Sequence, residues 1–232
     1  MQEANLTLSA ITTVSTSLRA KAFNIFASPG EVFEEIATAP PTLSNWRVPT
    51  LLVCFAGMIL WLVSSNESQS DAISQAARAS SLSLEQKQIL TGMWPLISML
   101  MIGVTTIAGS IWSAFVLWLI GRWFLKVRFP FQKALEVVGL TAMILLLGMI
   151  VTGLLISASG DVTARPSLSL LGGKLSTGKG RQLLDELNFF HLWTAVVMAV
   201  GLSKLSSVSF KEAAFWVFGY WVFVRIALIV LA

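Results

Sequence analysis

Five apolar runs, at about 48–65, 95–121, 135–157, 188–205 and 212–232, alternate with polar links along the chain. A helix of about 20 residues crosses a hydrocarbon core of about 30 Å, so each run predicts a membrane span. Trp46 and Arg47 before the first run and Trp94 before the second are interfacial anchors. Ahead of the first span, Ser28-Pro29-Gly30-Glu31 reads as a capping box with proline at the first helical position. The helix it opens, 29–39, carries Val32, Phe33 and Ile36 on one face and Glu31, Glu34 and Glu35 on the other, and Pro40-Pro41 ends it. It is too short to span, which places it along the membrane surface or against the bundle. Residues 1–27, rich in Ser and Thr with Arg19 and Lys21, read as a flexible or loosely helical segment. The polar stretch 66–93 predicts a short helix, with Ser83 and Gln86 as a second capping box, and 158–187 predicts a longer loop.

The runs also repeat. Trp112-Ser113-Ala114 answers Trp193-Thr194-Ala195, and Phe131 with Ala134 and Val138 answers Phe210 with Ala213 and Val217. The reading is an all-α membrane protein: a five-span helical bundle with an N-terminal interfacial helix and two parallel-related helical hairpins. Such repeats pack around an axis normal to the membrane. In the second span Thr106, Ser110 and Ala114 recur every four residues, as do Gly109 and Ser113, a spacing that permits close helix approach.

Composition agrees. The chain is 55% hydrophobic and 12% charged, where soluble domains carry about a quarter charged residues. Its mean hydropathy is +0.76. A net charge of +4 in such a chain sets topology and touches anionic lipid, and does not point to nucleic acid. The single cysteine, Cys54, permits no internal disulfide and reads as a small buried hydrophobe. The polar stretch after Met1 lacks the pattern of a cleavable signal peptide. Nine Lys and Arg fall on the side of the N-terminus, including Arg122, Lys126, Arg128 and Lys133 in one short link, and six on the other. That bias predicts a cytoplasmic N-terminus and an outside C-terminus.

Candidate chemistry is sparse. The run Gly173 to Gly180 approximates a phosphate-binding loop, but Gly180 stands where Ser or Thr is needed and no strand precedes it, so it reads as a plain loop. His191 is the only histidine, which leaves no metal site; it reads as a packing residue or a proton relay. Arg225 is the sharpest candidate, because a charge in a helix centre costs about 2.5–3.5 kcal/mol on insertion scales. It snorkels, or pairs with Asp185 or Glu186 at the mouth of the fourth span, or serves transport. Glu136, near Lys133 and Lys211, reads as a solvated or salt-bridged interface residue. Trp112, Trp193, Phe131 and Phe210 are the packing candidates of the repeat. No catalytic constellation and no cofactor are indicated.

Leu184-Asp185 through Phe190-His191-Leu192-Trp193, then Gly201 and Phe210-Lys211-Glu212-Ala213, resemble the last two spans of Yip-domain proteins, the Ypt/Rab-interacting family. Phe131-Gln132-Lys133-Ala134 with Val138-Gly139 resembles its middle hairpin, and Ser28-Pro29 through Phe33, Ile36 and Pro40 the segment before its first span. The resemblance, over about 28–225, implies five spans and a cytosolic N-terminus. Eukaryotic members bind prenylated Rab GTPases through a segment with an acidic-Leu-Tyr-Gly motif. The only tyrosine here is Tyr220, inside the fifth run, so that motif is absent and a Rab-type partner is not expected. The short N-terminus resembles the prokaryotic branch, some members of which resemble accessory subunits of export systems. The expectation is a non-enzymatic interaction or accessory protein of a bacterial inner membrane. Its expected partners are membrane lipid and other integral membrane proteins, an export transporter among them. The alternative is a small carrier or channel for an ion, lipid or peptide. A cavity at the repeat axis lined by Arg225 and Thr106 would mark the second; a dry centre would mark the first.

Overall fold

The computed structural model describes residues 16–64, 83–172 and 184–231. Among the described residues the helices that can be bounded are, in chain order, α1 Leu18–Ala27, α2 Pro29–Thr38, α3 Ser44–Ser64, α4 Leu84–Leu119, α5 Phe131–Ser159, α6 Ser169–Gly172, α7 Phe189–Ser206 and α8 Phe210–Leu231. A π-helical turn, Ile120–Phe124, continues α4. Among the described residues the only β-type pairing is an isolated bridge between Ser167 and Asn188.

Among the described residues, four segments are long and apolar enough to cross a membrane: Ser44–Ser64, Gly92–Phe124, Phe131–Ser159 and Phe189–Ser206. α8 is not among the segments found within the described residues. α5 is the centre, with a continuous buried stretch from Lys133 to Ala142. Asn45 meets Glu136 at one end of α3 and Leu60 meets Gly153 near the other, so α3 and α5 run in the same direction. Val137 touches Gly201 and Phe190 touches Gly148, so α7 runs against α5. α4 runs against α3, since Trp46 bonds Ser110 while Gly57 meets Ile102. Close approach depends on missing side chains: a Cβ on Gly139 would fall inside contact distance of the Trp46 backbone and the Asn45 carbonyl, and one on Gly201 would strike Val137.

Two pairs of the repeat positions match in burial, while Trp112 and Phe210 are exposed where Trp193 and Phe131 are partly buried. Ala134 and Ala213 are each 0% exposed, and Val138 and Val217 each 6%.

The expected flexible segment 1–27 gives way in its second part to α1. Ser17 caps it by accepting from the Ala20 N–H at 3.3 Å, and Ile25 and Lys21 are buried. The capping box expected at Ser28 does not form, because Ser28 already ends α1: its N–H donates to the Asn24 carbonyl and its side chain makes no cap bond to α2. Pro29 still supplies the pre-set φ of the first helical position. The box at Ser83 and Gln86 does form, with bonds of 3.3 and 3.0 Å. From there the expected short helix and second span are one continuous α4, and Pro95 within it removes only one ladder bond. α2 lies against the bundle on Val32, Phe33 and Ile36, as its pattern demands. Gly160, at φ 68°, ends α5 in the left-handed cap that glycine enters without strain. The glycine-rich run 173–180 lies outside the described residues.

Candidate functional site

Two polar constructions interrupt the apolar bundle. The first is a clamp at the end where α3 and α5 begin. Lys133 sits one turn into α5, 5% exposed. Its ammonium donates to the carbonyls of Ile36 and of Ala39, the latter at 2.6 Å, and lies 3.3 Å from Glu136 Oε1. The last carbonyls of a helix have no intrahelical donor and carry partial negative charge, so a lysine there both satisfies and neutralises them. Glu136, 2% exposed, accepts from Asn45 Nδ2 at 2.5 Å. One network therefore joins α2, α3 and α5. Glu136 is thus ion-paired and almost wholly buried, with Asn45 of α3 laid against it. Lys211, expected nearby, is exposed at the start of α8.

Two outer straps reinforce the clamp. Lys21 of α1 pairs with Glu35 of α2 at 3.1 Å, and Thr16 donates to the same carboxylate through its N–H at 2.9 Å and through its hydroxyl. Burial alone would raise the Glu35 pKa; the bonds from Thr16 and Lys21 outweigh it and hold it below the ordinary value of 4.5. Lys204 at the end of α7 pairs with Glu34 at 2.6 Å, and this hydrogen bond and charge lower the Glu34 pKa.

The second construction is a cavity of about 430 Å³ among α4, α5, α7 and α8. Leu117, Ile120, Leu145, Met198 and Val217 make much of its wall apolar, while His191, Arg225 and Tyr220 bring polar groups to it. Trp112 also lines it, donating its indole N–H to the Tyr220 hydroxyl at 2.8 Å and tying α4 to α8. Trp112 is 57% exposed and Gly109 beside it is exposed, so this side of the cavity is not sealed.

Arg225 forms an ion pair with Glu186 at 2.6 Å, without hydrogen-bond alignment, and its guanidinium lies 5.8 Å from the Trp221 ring centre. Asp185 takes a different partner, the Ser167 hydroxyl at 3.4 Å. His191 keeps its Nδ1 buried with no hydrogen-bond partner. Trp193 turns away from the cavity and packs on Phe26 of α1, with ring centres 5.8 Å apart. Phe131 packs edge-on against Trp118. Phe210 is 45% exposed beside Lys204 and Glu34. The cavity thus gathers Arg225, His191 and Trp112, with Glu186 held to Arg225. It does not gather Asp185, Trp193, Phe131 or Phe210, and Thr106 is not on its wall. The clamp residues Lys133 and Asn45 were not candidates from the sequence. The signal for Lys133 and Glu136 was present: two opposite charges three residues apart at the start of an apolar run face the same side of a helix.

The description Yip1 domain belongs to a family model that matches residues 23–232. The chain belongs to the Yip1 domain family. With its apolar helices this makes it a multi-pass membrane protein. The Yip1 domain takes in the end of α1, all three clamp elements α2, α3 and α5, and the whole cavity. It is not a known enzyme family. No curated protein matches the chain, and no solved structure matches it.

Proposed function

We propose that this Yip1 domain protein is a non-enzymatic accessory protein of the bacterial inner membrane, a subunit or modulator of a membrane export complex. In this reading α8 is a fifth span, α4–α5 and α7–α8 are the two parallel-related hairpins, and the clamp faces the cytoplasm with the C-terminus outside. Short basic links on the clamp side support that orientation. Membrane lipid and other integral membrane proteins are its partners; nucleic acid and Rab-type GTPases are not.

The observation that carries the reading is the exposure of α4. Half of the apolar window of α5 and of α7 is buried within the chain, but only 11% of that of α4. On its outer side Thr105, Ala108 and Gly109 make a low ridge beside Trp112, and nothing lies within 4 Å of a Cβ placed on Gly109. Small residues are what let a second helix approach closely in lipid, where apolar area alone gives no preference. Affinity purification in mild detergent with mass spectrometry tests this. The wild type is expected to recover a stoichiometric membrane partner, and Gly109→Leu to lose it by tenfold or more. Recovery of no partner, together with solute flux through reconstituted liposomes, would reject the reading.

That last outcome belongs to the second reading, a small carrier or channel for an ion, lipid or peptide. The cavity with Arg225 at its wall favours it; the absence of Thr106 from that wall counts against it.

A further inference from the structure

The cavity is amphipathic along its length. Val217 and Arg225 are eight residues apart on α8, which is about 12 Å at 1.5 Å per residue. The Val217 end is walled by Leu117 and Ile120. The Arg225 end meets His191, whose Nδ1 is buried and unpartnered. An apolar slot that ends in polar groups and is unsealed beside the exposed Trp112 has the form of a site for one lipid chain and its head.

Charge decides which head. Arg225 comes already paired with Glu186. The polar end of the cavity therefore holds one cation and one carboxylate, already matched to each other. An anionic head would gain Arg225 only by leaving Glu186 unpaired beside it. A head that carries a phosphate and an ammonium can take both: the phosphate accepts from Arg225 and His191, and the ammonium donates to Glu186. We propose that the cavity holds one acyl chain of a zwitterionic phospholipid, with its phosphate on Arg225 and its ammonium on Glu186. The slot is unsealed beside Gly109 and Trp112, the side of α4 on which a partner is proposed, so the lipid is tested on the chain alone and through residues of α8 and Glu186, away from that ridge.

Native mass spectrometry of the full chain in nanodiscs of equal phosphatidylethanolamine and phosphatidylglycerol tests it. The wild type is expected to retain one lipid per chain on release, phosphatidylethanolamine over phosphatidylglycerol by fivefold or more. Glu186→Gln leaves Arg225 as an unpaired cation and is expected to reverse that preference. Val224→Trp, which fills the slot, is expected to reduce retention at least tenfold, with folding followed by thermal melting. Equal retention of the two lipids by wild type and Glu186→Gln would overturn the proposal. So would retention unchanged in a folded Val224→Trp protein, which would place the lipid on the outer surface. If Val224→Trp does not fold, the headgroup reversal alone decides.

Discussion

Lys133 is the residue on which the clamp of α2, α3 and α5 depends. An ammonium 5% exposed is tolerated because three acceptors surround it, two of them carbonyls at the end of α2. Removing one partner of a buried pair leaves the other charge uncompensated, at a cost of about 3–5 kcal/mol. Lys133→Met is therefore expected to destabilise by about that amount, and Lys133→Met with Glu136→Met by clearly less than the sum of the single changes. Thermal denaturation of the four proteins in one detergent checks it; additive effects would show that the two charges do not depend on each other. The sequence made this pair visible but not its partners. Hydropathy marks Lys133 as the edge of a span, whereas its acceptors are main-chain carbonyls of residues 94 and 97 positions away, which no side-chain pattern encodes. Arg225 was more legible. A lone charge deep in an apolar run requires a counter-ion, and Glu186 lay at the predicted mouth of the neighbouring span.

At the scale of elements, α2 was readable and α1 was not, for one reason. The buried face of α2 is purely apolar, with Val32, Phe33 and Ile36. The buried face of α1 carries Lys21 beside Ile25, and a lysine on the inner side breaks the helical period. The straps between them have a pH signature. The carboxyls of Glu34 and Glu35 are held below their ordinary value of 4.5, so protonation is easier once the straps open. Their contribution is complete above that value and fades as pH falls through the folded pKa values. Amide hydrogen exchange of α1 and α2 is expected to quicken relative to α5 as pH drops below about 4.5, after correction for the intrinsic rate. Lys21→Ala is expected to bring α1 exchange near that level at neutral pH. Exchange that keeps a constant ratio to α5 across this range would count against the straps. The Ser28 box failed as an expectation because the local motif was right but the residue was already in use by the preceding helix.

For the whole molecule, the contacts place the links 125–130 and 207–209 at the same end of the bundle as α2, since Lys133 holds α2 and Lys204 holds Glu34. Gly160 and the start of α7 lie at the other end, where Phe190 meets Gly148. In a Cys54→Ala background, single cysteines at Arg128→Cys and Ser207→Cys are expected to label from the cytoplasmic side and Asp161→Cys from the outside. Labelling of all three from one side would break the proposed topology. Hydropathy made the four span-length helices legible; of the repeat, Ala134 with Ala213 and Val138 with Val217 match in burial, whereas Trp112 and Phe210 are exposed and their counterparts Trp193 and Phe131 are partly buried. The cavity was harder to see. Arg225 predicted a polar point in the bundle, but the volume around it arises where Leu117, Leu145, Met198 and Val217 leave space, and that depends on how four helices cross.

Ser28 stops α1 and stands directly before the first residue of α2, so no slack separates the two rods. Their relative angle is fixed by a single pair of torsions, φ −134° and ψ 58°, and by the Lys21 strut to Glu35. A tug on the chain ahead of Thr16 would thus travel as through a bell crank: along α1, round the joint, down α2, and through Lys133 into the most deeply buried helix of the bundle.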